Sequence, residues 1–272
     1  DFDLFKPNVS ATPEEFARQM DYVRAHYNVI SCEQLARWLQ GDATLPPHPA
    51  IITFDDGYYD NLLNASPVLQ ARNLSAIIFL TTGFIGTKRP FYWDIVAYCF
   101  HHTHRDHADL PLLGERRWTD AASREKVMLA WVEALKKIPE AQKRALIEGV
   151  GEILDVSIPE DRFSNLYLTW PQVREMSQDD MEFGSHTVNH PILTRIPPEQ
   201  ARRELSESKR RVEEEIQKPV NSLAYPNGQE ADFSGEVMNI ARETGFRLAL
   251  SLLPGPTRLG AAKSSPLAIR PV

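Results

Sequence analysis

Hydrophobic positions along this chain change period several times, and each change marks the border of an element. After Thr12-Pro13-Glu14-Glu15, a capping box with proline at the first helical position, apolar residues recur at Phe16, Met20, Val23 and Tyr27, the spacing of a helix. Val29-Ile30 reads as a short strand. Ser31-Cys-Glu-Gln34 reads as a second capping box, opening a helix through Leu35 and Leu39 that Gly41 and Pro46-Pro47 close. The run Ala50–Phe54 is continuously apolar and β-branched, as a buried central strand should be, and it is followed by a helix through Leu62, Leu63 and Leu69 and a second buried strand, Ala76–Leu80. Strand, helix, strand without a hairpin signal predicts parallel neighbours joined by crossovers.

From about residue 91 to 161 the pattern becomes helical and charged. Val127, Trp131, Leu135 and Ile138 form one stripe before Pro139, and Leu146, Val150 and Ile153 follow it. A structureless loop of that length would be improbable in a compact domain, so the segment is expected to be a helical insertion between two strands. Beyond it, Pro197-Pro198 introduces a helix with Leu205, Ser208, Val212 and Ile216 inward and Arg203, Glu207, Arg211 and Glu215 on a solvated face. Ser222–Gly228 reads as a strand entering a turn, an amphipathic helix ends at Gly245, Phe246–Leu250 is a strand, and a Gly/Pro-rich loop leads to Ala268–Val272.

Two stretches carry candidate chemistry. The first buried strand ends in Asp55-Asp56-Gly57, at the carboxyl end where parallel α/β sheets hold their ligands. Neighbouring strand side chains point to opposite faces, so the two acids should do different work. Far downstream, His186 and His190 stand four apart in His186-Thr-Val-Asn-His-Pro191. Two neutral imidazoles joined by a carboxylate make a common site for zinc or a similar divalent ion.

Thr53-Phe-Asp-Asp-Gly57 and His186-Thr-Val-Asn-His-Pro191 resemble the first two signature motifs of the polysaccharide deacetylases, carbohydrate esterase family 4 with its NodB-homology domain. The resemblance reaches from about Phe16 to the C-terminus, interrupted by the insertion. It implies a distorted (β/α) barrel and metal-dependent removal of an N- or O-acetyl group from a sugar. It further implies that Asp56, His186 and His190 bind the metal while Asp55 is the general base. The metal would be zinc, with cobalt, nickel or manganese as alternatives. The third motif, usually Arg-x-Pro-Tyr, corresponds to Ala224-Tyr-Pro-Asn227: its arginine is absent, and the Asn227 backbone N–H would take the oxyanion-hole role. Neither the fourth motif's aspartate nor the fifth motif's histidine is found after Phe246, which marks a divergent branch. Arg270 is the late residue placed to replace the missing arginine by pairing with Asp55. Trp93, Tyr225 and Pro226 are expected to touch the sugar, Trp93 from the aromatic run Phe91-Tyr-Trp-Asp94.

Composition narrows the function classes without selecting one. The 272 residues, 42% of them hydrophobic, can bury one large core, and the whole chain is expected to be a single catalytic domain. A net charge of −7 argues against nucleic-acid binding, since phosphate contact needs a basic face. No apolar run reaches eighteen residues, so no transmembrane segment is expected. The opening Asp1-Phe-Asp3 lacks a basic or apolar leader, so the chain is expected either to be cytoplasmic or to be exported by a signal outside these residues. Two cysteines, Cys32 and Cys99, are too few for a disulfide framework and read as small buried apolar groups. The tract His101-His-Thr-His-Arg-Asp-His107 reads as a solvated helix end rather than a metal site. The expected substrate is an acetylated glycan or amino sugar. Alternatives on the same fold are a small-molecule amide or formamide hydrolase and a barrel that binds glycan without turnover.

Overall fold

The computed structural model describes residues 10–179 and 181–271, so the opening Asp1-Phe-Asp3 lies outside the described residues. Among the described residues the strands are β1 (Asn28–Val29), β2 (Pro49–Ala50), β3 (Thr53–Asp56), β4 (Ala76–Leu80), β5 (His107–Leu110), β6 (Gly114–Arg117), β7 (Met181–Ser185), β8 (Ser222–Ala224) and β9 (Leu248–Leu250). The described chain divides into two compact units: one comprises 11–87 with 165–271, the other Ser10 with 88–164.

The larger unit is built on one five-stranded sheet in the order β3-β4-β7-β8-β9, every neighbouring pair parallel. A short parallel pair, β1 and β2, stands apart from it, and Ile269 bridges Leu250 beyond the far edge. Helices connect the strands, and the whole is the distorted (β/α) barrel that the resemblance implies. β4 sits between β3 and β7 and all five of its residues are buried, which is why its sequence, Ala-Ile-Ile-Phe-Leu, is apolar without alternation. Ile77 and Phe79 of β4 pack in one core cluster with Cys32, Leu35 and Ala36, Ala224, Leu248 and Ile269. The Phe79 ring leaves no room for a side chain on the neighbouring strand: a Cβ on Gly184 would lie 2.5 Å from it.

Local signals explain where the helices begin. Thr12 Oγ1 accepts from Glu15 N and Glu15 Oε2 from Thr12 N, so the Pro13–His26 helix carries the full capping box. At the Cys32–Gln40 helix only half of the expected box forms. Ser31 caps Gln34 N, while Glu182 of β7, not Gln34, reaches the first turn and accepts from Cys32 N at 2.7 Å. The helix expected after β3 starts with a wide π turn over Asn61–Ala65 before Ser66–Gln70 becomes α-helical, and it leaves Leu63 exposed.

The smaller unit has four helices among its described residues, Tyr92–His102, Ala121–Leu135, Glu140–Glu148 and Val150–Leu154, around a core that includes Phe100, Trp131, Leu135, Val150 and Leu154. It also contains an antiparallel hairpin, β5 and β6, which a helical reading of the segment does not anticipate. The histidine tract straddles the change: the helix stops at His102, and His107 opens β5.

Candidate metal centre

Three polypeptide segments meet at the carboxyl ends of β3, β4 and β7. Asp56 is the last residue of β3 and is paired in register with Leu80 of β4. His186 follows β7 directly, and its N–H donates to the Leu80 carbonyl at 2.9 Å, extending the β4–β7 ladder by one bond. His190 lies one tight loop further on. Asp56, His186 and His190 each offer one ligand atom, all within 4.8 Å of one another. The His186 and His190 Nε2 atoms stand 3.8 and 3.6 Å from the same Asp56 oxygen. Their rings meet edge to face with centroids 4.7 Å apart.

The backbone makes this convergence at a conformational cost. Asp56, Thr187 and His190 all adopt positive φ (71°, 67° and 58°), a region that non-glycine residues rarely enter. The turn at Asp56 aims its carboxylate across the strand ends instead of leaving it in plain strand alternation. Gly57 follows with φ 81°, and a Cβ there would come within 2.7 Å of Ile85 and Leu80 side chains, so the residue after the two acids must be glycine.

The protonation pattern follows from the partners. His186 Nδ1 lies 2.8 Å from the carbonyl oxygen of Ala224, which can only accept. Nδ1 therefore carries the hydrogen, and the Nε2 lone pair faces Asp56. Thr81 Oγ1 donates to the same Asp56 oxygen at 3.3 Å. Burial pushes the Asp56 carboxyl up to about 7, with the neighbouring Asp55 charge adding to the rise and His186 and the Thr81 hydroxyl opposing it. Two imidazoles gathered against a partly desolvated carboxylate form a donor set that a divalent cation satisfies, and nitrogen with oxygen donors suits zinc and its first-row neighbours.

The other sequence-predicted residues divide. Asp55 is exposed, and its side chain has no hydrogen bond or ion pair among the described residues. Asn227 stands beyond β8 with φ 62°, and its side-chain amide donates to buried Asp232, which also accepts from Gln229 N. Three expectations need correction. Arg270 is exposed, its backbone N–H donates to Thr257 Oγ1, and among the described residues its side chain makes no hydrogen bond or ion pair, so the expected pairing with Asp55 is not formed there. Tyr225 is buried, its hydroxyl donates to the Leu267 carbonyl and its ring stacks on Phe233, so it belongs to the core and is not open to a sugar. Pro226 is buried as well. Trp93 lies in the smaller unit, half-buried and stacked on Phe91 with centroids 4.2 Å apart. The tract from His101 to His107 provides no further metal-ligating cluster among the described residues.

Sequence reasoning passed over several residues that shape this centre. Thr81 and the Ala224 carbonyl each hold a ligand side chain. Glu204, on the inner face of the Pro198–Ile216 helix, grips the loop between the histidines. The signal for Glu204 is its position: it precedes Leu205 on the apolar stripe, not on the charged face.

The family model for polysaccharide deacetylase matches residues 42–249. YxkH of Bacillus subtilis (strain 168), whose name provisionally makes it a polysaccharide deacetylase, is 21% identical over 243 residues. That match covers 89% of this chain and 58% of YxkH, so the chain spans under three fifths of that relative's length. Among solved structures, Streptococcus pyogenes deacetylase PplD in complex with acetate is 19% identical with TM-score 0.60, covering 98% of this chain and 85% of that one. A de-N-acetylase from Aggregatibacter actinomycetemcomitans is 17% identical with TM-score 0.61, covering 98% and 86%. IcaB from Ammonifex degensii is 18% identical with TM-score 0.61, again covering 98% and 86%. These structural likenesses establish the fold.

Proposed function

Because this chain belongs to the polysaccharide deacetylase family, we propose that it hydrolyses N-acetyl or O-acetyl groups on a polysaccharide or amino-sugar glycan, using a divalent cation held by Asp56, His186 and His190. The observation that carries the reading is the convergence of one carboxylate and two imidazoles within 4.8 Å at the strand ends, with the His186 tautomer set by the Ala224 carbonyl. A bound dication would supply Lewis acidity toward the acetyl carbonyl oxygen and lower the pKa of a water toward about 7.

This chain's own groups do the rest. Asp55, exposed beside Asp56, accepts the proton of the attacking water as general base. Asn227, held in a left-handed turn by the bond from its amide to Asp232, presents its backbone N–H to the developing oxyanion. The proton taken by Asp55 is then returned to the leaving group, the amine of an N-acetyl or the alcohol oxygen of an O-acetyl substrate. The 88–164 unit is read as a helical insertion in the sequence of the barrel. Zinc is the preferred ion, with cobalt, nickel or manganese as substitutes.

An acetate-release assay on a panel of acetylated glycans, run with and without chelator, tests the reading. Chelator-sensitive release is expected, restored by added zinc. One observation favours a second reading, a barrel that binds glycan without turnover: among the described residues no side chain is bonded to Asp55 to orient it. Glycan binding without acetate release in the zinc-loaded chain would select that reading.

A further inference from the structure

We propose that Glu204 is a positioning residue that holds the His186–His190 segment in its ligand-bearing conformation; the inference rests on the metal-centred reading above. Glu204 lies mid-helix and is only 6% exposed, among Ala201, Leu205 and Ser208 on the buried face of the Pro198–Ile216 helix. A carboxylate in such a place is costly unless its oxygens are fully engaged. One oxygen accepts from Val188 N and Asn189 N, each at 2.8 Å, and the other from the Asn189 side-chain amide at 2.8 Å. Two successive backbone N–H groups aimed at one oxygen form an anion-binding concavity, and these bonds are charge-assisted.

The segment needs such a holder. Thr187 and His190, on either side of the gripped pair, both have positive φ, and strained residues persist only where their surroundings over-determine them. On the opposite edge Thr82 N and Gly83 N donate to the Thr187 and Val188 carbonyls at 3.1 and 2.8 Å. Inside the loop, Thr187 Oγ1 accepts from His190 N at 3.0 Å. The carbonyls are thus fixed by the strand β4 end and the N–H groups by Glu204. Removal of the carboxylate leaves one side of the clamp, and the His190 ring loses its fixed distance to Asp56.

Zinc affinity of the purified full chain, measured by competition with a chromophoric chelator, reads this directly. Glu204→Ala is expected to raise the zinc Kd about 10–100-fold, the usual effect of losing an outer-shell partner. Glu204→Gln, which keeps an acceptor for the two backbone N–H groups, should stay within about 3-fold of the parent on the same scale. Leu205→Ala, a cavity mutation one residue along, should lower thermal stability with zinc Kd unchanged, separating positioning from mere destabilisation. Should Glu204→Ala not fold, Glu204→Asp withdraws the carboxylate by one methylene and is expected to show the same loss of affinity. Parent-like zinc affinity in the folded Ala or Asp variant overturns the inference. Should the parent chain itself take up no metal, the proposed function fails, and amide hydrogen exchange judges Glu204 alone. Val188 and Asn189 amides should then exchange faster in the variant than in the parent, and equal rates overturn the inference.

Discussion

Asp56 lies against two imidazoles while Asp55, one residue earlier, is exposed, so substitutions at the two should separate metal binding from turnover. Asp55→Asn is expected to keep full metal content and to lose acetate release by about 10²–10⁴-fold, the usual contribution of a general base. Asp56→Ala, His186→Ala and His190→Ala should lose metal and activity together, because a three-ligand site cannot spare one. Metal analysis alongside the acetate assay decides between these outcomes, and a metal-free Asp55→Asn beside a metal-loaded Asp56→Ala would exchange the roles. Arg270→Met should leave kinetics within about 2-fold of the parent, as for an exposed side chain that makes no ion pair among the described residues. The meeting of Asp56, His186 and His190 was legible because short motifs at strand ends carry residue types that have few other uses together. The Ala224 carbonyl was not, since a backbone acceptor leaves no trace in residue type. Tyr225 misled for a related reason: beside a motif an aromatic residue reads as a ligand contact, yet its hydroxyl closes onto Leu267 inside the core.

At the scale of elements, two positions show how strand ends were shaped for the loops above and the helix below. Gly83 follows β4, and a Cβ there would stand 2.6 Å from the Val188 carbonyl oxygen and 3.2 Å from the Val188 side chain. Gly83→Ala should therefore push the histidine loop outward, costing about 1–3 kcal/mol in a denaturant titration as overpacking does, with a weaker hold on zinc. Unchanged stability would mean that the loop yields freely, against the clamped geometry. At the other end of the sheet, Glu182 of β7 caps the Cys32–Gln40 helix, and burial raises its carboxyl above the ordinary value near 4.5, the bonds from Cys32 N and Glu33 N opposing. The folded chain therefore holds this proton more tightly than the unfolded chain. The group's contribution to stability is fully present below about 4.5 and is lost as pH rises through the raised folded value. Glu182→Gln cannot ionise, so its thermal midpoint should gain on the parent's as pH increases across that window; curves that stay parallel from pH 4.5 to 8 would count against the assignment. Strand identity was legible from apolar runs, and the first helix from its capping box. The Glu182 cap was not, because it joins residues 150 apart in sequence. Nor was the β5–β6 hairpin, whose outer strand Gly114–Arg117 is exposed throughout and lacks an apolar face to announce it.

At the scale of the whole molecule, the described chain divides into two compact units. The helical, charged stretch read from about 91 to 161 falls within the unit that spans Lys88–Ser164, and the alternating strand and helix signals on either side belong to the other unit. All three candidate ligands lie in that larger unit, on strand ends and a loop separated by up to 134 residues of sequence (190 minus 56). A cation there would cross-link β3 to the loop after β7 in the folded state only, since the unfolded chain cannot hold the three donors together. Metal should then act as a stabilising ligand by mass action, worth about 2.7 kcal/mol at a hundredfold excess over Kd. Thermal unfolding with saturating zinc is expected to end several degrees above the same scan in chelator, and His190→Ala should show no such gap. If the two units melt in separate transitions, the shift should be confined to the one that carries the sheet. A zinc-dependent gap that survives in His190→Ala would place the stabilising ion elsewhere in the molecule and remove the centre at Asp56 as its seat.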